Sequence, residues 1–201
     1  MKGSLIILAF FATGVLLGSN KFLPEFMMEN DLSMYALYVL MFVVGVGIGA
    51  DKNSWSVVKK MKVKLFMVPL GIIIGTGIGT FLISFLLSDI NYKESLAVGA
   101  GFGYYSLSSI FITQMHGETL GVIALLSNVL REMFTLLLTP ILVKYFGKLA
   151  GIAGGGATAM DTTLPIIVRY SGKEWGIIAV FSGIVLTILV PFLVTFILEV
   201  M

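Results

Sequence analysis

Within LLSNVLREMFTLLLTP, the polar residues Asn128, Arg131, Glu132, Thr135 and Thr139 recur at spacings of three and four. That spacing places them on one helical sector. The segment that carries them, Thr119 to Val143, is otherwise apolar and long enough to cross a bilayer. A charge at the bilayer centre costs about 3 kcal/mol even on the lenient insertion scale, so Arg131 and Glu132 would not be kept on a lipid-facing surface. Successive helical residues stand about 100° apart, so the two need not pair with each other. Arg131 is then expected to neutralise Asp161, leaving Glu132 to bind a cation or carry a proton. A structural ion pair is the alternative.

Two further stretches combine helix breakers with polar groups. AGFGYYSLS begins at Ala100 and AGGGATAMD at Ala153. Irregular backbone at membrane depth is tolerated only where it is buried in protein or lines a wet cavity. Both stretches therefore predict a cavity. Half-helix N-termini there would turn free N–H groups and positive dipole ends toward a carboxylate. Gly101 and Gly103 would serve one such terminus, and Gly154, Gly155 and Gly156 the other. Ser106, Ser108, Thr158 and Thr162 would add hydroxyls, and Tyr104 and Tyr105 would line the space. Asp161, ahead of Pro165, is expected to cap a half-helix, to face the substrate, or both. Surface loops are the bland alternative, and the apolar flanks argue against them.

These residues need a scaffold, and composition says which kind. The chain of 201 residues is 58% hydrophobic and 12% charged, where a soluble domain is about a quarter charged. It reads as an all-α, polytopic membrane helix bundle, a single transporter domain over residues 1–201. Gly3 to Asn20, Leu32 to Ala50, Leu65 to Leu87 and Trp175 to Leu198 are uncharged spans beside Thr119 to Val143. Ser95 to Met115 and Leu149 to Val168 are mixed, broken or re-entrant. The amino end resembles a signal peptide, but further spans follow at once and no clear cleavage site appears, so it reads as a first span. Gly71, Gly75 and Gly79, like Gly45 with Gly49, form small-residue rows that let helices approach closely. GTGIGT lies inside such a span and is read as packing, not as a nucleotide loop.

Cytoplasmic loops collect Lys and Arg, and counting them tests the mixed segments. With the loop carrying Lys52, Lys59, Lys60, Lys62 and Lys64 inside, two full crossings put eight basic residues inside and four outside. Two re-entrant segments put ten inside and two outside. The re-entrant count fits better, with the amino terminus inside and the carboxyl terminus outside. The segments would then enter from opposite faces. Their shared A-G-x-G, each followed by a membrane helix, suggests the inverted repeat of secondary transporters.

The remaining polar residues have quieter readings. Asp51 ends a helix beside the basic loop, and His116 is a turn residue at the interface. Trp55, Trp175, Tyr35, Tyr92 and Tyr170 sit near span ends as interfacial anchors. Without cysteine, and with one histidine, disulfides, thiolate chemistry, a His-based metal site and a Ser-His triad are excluded or disfavoured. An intramembrane protease lacks its paired acidic motifs here. No catalytic residue, metal or cofactor is expected, and a net charge of +2 calls for no nucleic-acid partner.

Taken in order, GFGYYSLSS, NVLRE and GATAMDTTLPI resemble the motifs of the lysine exporter LysO family, over essentially the whole chain. The resemblance implies a bacterial inner-membrane protein that exports L-lysine and its analogue thialysine, with Glu132 and Asp161 as its intramembrane acids. Longer members carry further helices ahead of the matched part. That implies either a homo-oligomer or a small membrane partner that supplies them, and it leaves an auxiliary subunit as the second reading. Lysine offers a carboxylate for half-helix N–H groups and ammonium groups for Glu132 or Asp161. Moving its net charge outward costs about 2.3 kcal/mol per 100 mV, so antiport against H⁺ or Na⁺ is expected.

Overall fold

The computed structural model describes residues 64–201 and, ahead of them, positions 9, 10, 13, 14, 16, 17, 35, 39, 42, 43, 46, 49 and 50. The expected first two spans and the lysine-rich loop, with Asp51 and Trp55, otherwise lie outside the described residues. Those earlier positions are helical, with a turn at Ala50. From residue 64 onward the chain is helical throughout, joined by short turns. It forms α1 (Lys64–Ser84), α2 (Tyr92–Gly99), α3 (Tyr105–His116), α4 (Glu118–Phe146), α5 (Leu149–Gly155), a 3-10 turn (Gly156–Met160), α6 (Leu164–Ser171) and α7 (Lys173–Glu199). Three of these, α1 from Leu65, α4 and α7, are long and apolar enough to cross a membrane. The expected span to Leu87 stops earlier. The Ser84 hydroxyl turns back to the Phe81 carbonyl at 2.7 Å, and the Leu86 and Leu87 amides bond three residues back, winding the helix down.

Each Gly-rich segment folds back on itself. The first begins at Asn91, whose side chain and that of Glu94 form a reciprocal capping box. It runs through α2, breaks at residues 100–104 and returns as α3. Its two ends meet, with His116 Nε2 3.1 Å from Glu94 Oε1. The second runs through α5, breaks through the 3-10 turn and returns as α6. Its ends meet as well: the Ser171 hydroxyl donates to the Lys148 carbonyl at 2.8 Å, and Lys148 pairs with Glu174 at 3.3 Å. Both segments are therefore helical hairpins with broken tips. Gly117, Gly147 and Gly172, at φ +92, +86 and +108, turn the corners between these hairpins and the long helices.

The hairpin tips meet inside the bundle. The Ala157 amide donates to the Phe102 carbonyl at 2.9 Å, joining backbone breaks 55 residues apart in sequence. Gly156, at φ +61, sits so close that a Cβ there would collide with the Phe102 carbonyl oxygen. A side chain at Gly103 would press on the Gly155 carbonyl at 3.2 Å. α7 supplies the floor. Its Gly183 leaves room for the 3-10 turn, since a Cβ there would lie 2.7 Å from the Ala157 carbonyl. Ile178, Ala179, Leu186, Val190 and Val194 of α7 are fully buried. The glycine row of α1 behaves differently: Gly71, Gly75 and Gly79 face open space among the described residues.

Gly156→Ala adds a methyl group at left-handed φ and against a carbonyl, so it is expected to cost about 1–3 kcal/mol of stability. Gly75→Ala, with nothing within 4 Å of the added methyl among the described residues, is expected to leave stability unchanged or raise it by up to about 1 kcal/mol. Thermal unfolding of the two variants in detergent checks the contrast.

Candidate functional site

The helix α4 builds the site because it passes both hairpin tips. Asn128 is buried at 3% exposure and spends its side chain on the first hairpin. Its Oδ1 accepts from the Gly103 amide at 2.7 Å. Its Nδ2 donates to the Val98 carbonyl at 3.1 Å and to the Ala124 carbonyl at 2.8 Å. Gly101 must be glycine to admit it, since a Cβ there would lie 2.6 Å from Nδ2 and from the Ser108 hydroxyl. About one turn along, Arg131 does the same for the second hairpin. Its Nε donates to the Gly154 carbonyl and an Nη to the Ala153 carbonyl, both at 3.0 Å. A third donor reaches Thr76 Oγ1 of α1 at 3.3 Å.

This arrangement corrects two expectations. Arg131 does not neutralise Asp161; it lies on the carbonyl end of α5, where a cation is favoured by the helix dipole. Nor do the glycines turn free N–H groups into a cavity. The Gly101 amide goes to Val98, that of Gly103 to Asn128 and that of Gly156 to Ile152, while Gly154 and Gly155 lie inside α5. The glycines of the second hairpin thus belong to the C-terminal end of α5, and the N-terminus of α6 follows only at Leu164. Hydroxyls behave alike: Ser108 donates back to the Tyr104 carbonyl and Thr158 to the Gly155 carbonyl. Ser106 is exposed.

The residues that do come together are Glu132, Asp161 and Tyr105, with Thr162 between the acids. Glu132 lies within electrostatic reach of Asp161 and beside Thr162, and Tyr105 lies within reach of both carboxylates. Asp161 Oδ1 accepts the Thr162 amide at 2.6 Å and its hydroxyl at 3.3 Å. Asp161 therefore steadies the chain just ahead of α6 without serving as its cap: Thr163 occupies that position and turns its hydroxyl back to the Thr158 carbonyl at 2.9 Å. Both acids are half-buried, and among the described residues neither forms an ion pair. Tyr105 opens α3, whose N-terminus carries no side-chain cap; its positive dipole end favours the negative charge of the nearby carboxylates. A site of this kind holds a cation or an ammonium group, with a phenol and a hydroxyl as neutral partners.

Two cavities lie beside α4 at Arg131. One of about 210 Å³ sits between α1, α2 and α4, with Thr76, Ser95, Asn128 and Arg131 in its wall. A shallower groove runs along α4 past Arg131, Thr135 and Gly154. Neither is lined by Glu132 or Asp161. Sequence reasoning missed Phe102 and Ala157 as the joint between the hairpins, and Thr76 as a partner of Arg131. A phenylalanine between two glycines reads as ordinary apolar filling, and only the left-handed φ of +47 marks it.

Compared with known proteins, residues 8–198 match the family model described as "Lysine exporter LysO". The chain is 31% identical over 169 residues to "Lysine exporter LysO" of Escherichia coli (strain K12), covering 83% of this chain and 55% of that protein. It is 35% identical over 170 residues to "Putative lysine exporter" of Haemophilus influenzae, covering 83% of this chain and 84% of that one. The chain thus spans about half the length of the E. coli relative. No solved structure matches.

Asp161→Asn keeps an oxygen for the Thr162 amide while removing the charge, and is expected to leave thermal stability in place. Asp161→Ala loses that acceptor and is expected to cost about 0.5–2 kcal/mol, as for a lost helix-entry bond. Unfolding midpoints of the purified variants test it.

Proposed function

We propose that this chain, which belongs to the lysine exporter LysO family, exports L-lysine and thialysine-like analogues across the bacterial inner membrane. The proposal runs through cation-coupled antiport in which Glu132 and Asp161 alternate between lysine ammonium and a coupling ion, H⁺ or Na⁺. The observation that carries it is the pairing of these two acids with Tyr105 and Thr162 beside the crossed hairpin tips. Two carboxylates without a cationic partner are costly in a membrane protein, and such a pair is kept where a cation comes and goes. An ammonium group has three donors and no acceptor, and the carboxylates with the two hydroxyls suit it. Lysine carries net +1, so its uncoupled flow would run inward, down a potential worth about 2.3 kcal/mol per 100 mV. Competition for the same acids by an inward-moving H⁺ or Na⁺ reverses that.

The hairpins are read as re-entrant, entering from opposite faces as the two halves of an inverted repeat. Support comes from the meeting of each hairpin's own ends at Glu94–His116 and Lys148–Ser171, and from the basic residues that this arrangement gathers inside. A second reading, an auxiliary subunit completed by a small membrane partner or by a second copy, draws on the 55% share of the E. coli relative that the chain matches. Lysine binding by the isolated chain, measured by calorimetry, separates the two.

Efflux of labelled lysine from vesicles is expected to fall to background in Glu132→Gln and Asp161→Asn. Wild-type rates in both would sink the proposal. The topology is tested by thiol labelling, since the chain has no native cysteine. Cysteines at Lys144 and Lys148 are expected to react from the cytoplasmic side, and labelling of both only from outside rejects the re-entrant arrangement.

A further inference from the structure

The geometry points to Asn128 and Arg131 as positioning residues: α4 uses them to latch one hairpin tip each, and so sets Tyr105 and Asp161 against its own Glu132. Every polar atom of Asn128 is spent on backbone groups at 2.7–3.1 Å. It grips Gly103, two residues before Tyr105. All three guanidinium nitrogens of Arg131 are likewise engaged, on Ala153, Gly154 and Thr76. This grip falls on the arm that leads through Gly156 to Asp161. The bond from Ala157 to Phe102 then ties one tip to the other.

A charge one residue from Glu132 invites a different role, as the ligand of a substrate carboxylate. The contacts oppose it. Arg131 lies against the carbonyl end of α5, and the residues lining the spaces beside it do not include Glu132 or Asp161. Phe102 shows how tightly the tips are set. It is 2% exposed and holds φ at +47, a conformation unfavourable for a residue with a Cβ. It keeps that conformation while its carbonyl receives the Ala157 amide. Losing either latch would let the tips move independently of α4, slowing the exchange step while the acids still take up the cation, and would remove no group that touches substrate.

The inference rests on the reading that Glu132 and Asp161 hold the cation, and the experiment separates the two. Lysine efflux is measured at several concentrations in proteoliposomes containing the full chain, for Arg131→Lys, Arg131→Gln, Asn128→Asp and Glu132→Gln. A group that acts by positioning changes kcat with KM kept, while a ligand acting in binding alone changes KM. Both Arg131 variants and Asn128→Asp are expected to lose about tenfold or more in kcat with KM held within about threefold. Arg131→Gln with KM raised about tenfold and kcat kept is the signature of a carboxylate ligand and overturns the assignment, as do wild-type constants in all three. If Glu132→Gln transports like wild type, the underlying reading fails instead. Where Arg131→Lys does not elute as a folded species, Arg131→Gln, which keeps a donor for one carbonyl, carries the same test.

Discussion

The bond from the Ala157 amide to the Phe102 carbonyl is the contact on which the rest of this structure depends. Inside a membrane protein each unpaired peptide group costs several kcal/mol, so a broken helix must find partners for what it exposes. Here two breaks supply each other. That mutual satisfaction demands near-contact of backbones, which dictates Gly156 and Gly103 at the crossing and Gly183 beneath it. It also fixes the hairpins tip to tip, and the remaining peptide groups fall within reach of one helix, α4.

Charge follows from the same geometry. The break in the second hairpin leaves the carbonyls of Ala153 and Gly154 facing α4, and a guanidinium with its planar fork is suited to take both. Arg131 is therefore neutralised by peptide dipoles and not by a carboxylate. The consequence falls on Glu132 and Asp161: the basic residue at their depth is already committed, so among the described residues they are left without an ion pair. Thr162 softens their proximity by giving its amide and hydroxyl to Asp161. What looked like a balanced set of charges is a structural cation on one side of α4 and an acidic pair on another.

Much of this architecture was legible in the sequence, for definite reasons. Apolar length identifies α1, α4 and α7, uninterrupted in α1 and α7 and broken in α4 only by its polar sector, because lipid allows little else. Gly-rich interruptions mark the breaks in the two hairpins. That Glu132 faces protein and not lipid follows from the cost of intramembrane charge, whereas its nearness to Asp161 does not: the sequence suggested Arg131 as the partner of Asp161. Partners were less legible. Spacing shows that Arg131 and Asn128 share a sector but not that both face peptide groups, since a carbonyl has no letter in the sequence. The direction of a half-helix is also silent: GGGATAMD reads equally as an N-terminus for an anion or as the C-terminus it proves to be. The row Gly71, Gly75 and Gly79 suggested close packing and meets open space among the described residues, because a small-residue stripe encodes permission for contact and no particular contact.

On the proposed function, the crossing also explains why one long helix should carry both latches and an acid. An exporter that exchanges two cations at shared acids must prevent the empty site from turning over, and that requires the acids and the gates to move together. Separate anchors for the two hairpins would let each open alone, and a leak would follow. With Asn128 and Arg131 about one turn apart on α4, and Glu132 beside them, a displacement of α4 is felt at both tips and at the cation site at once. The Phe102–Ala157 bond transmits what either latch does to the other hairpin. Coupling would then reside in shared backbone contacts, with the acids reporting on it through the cation they hold.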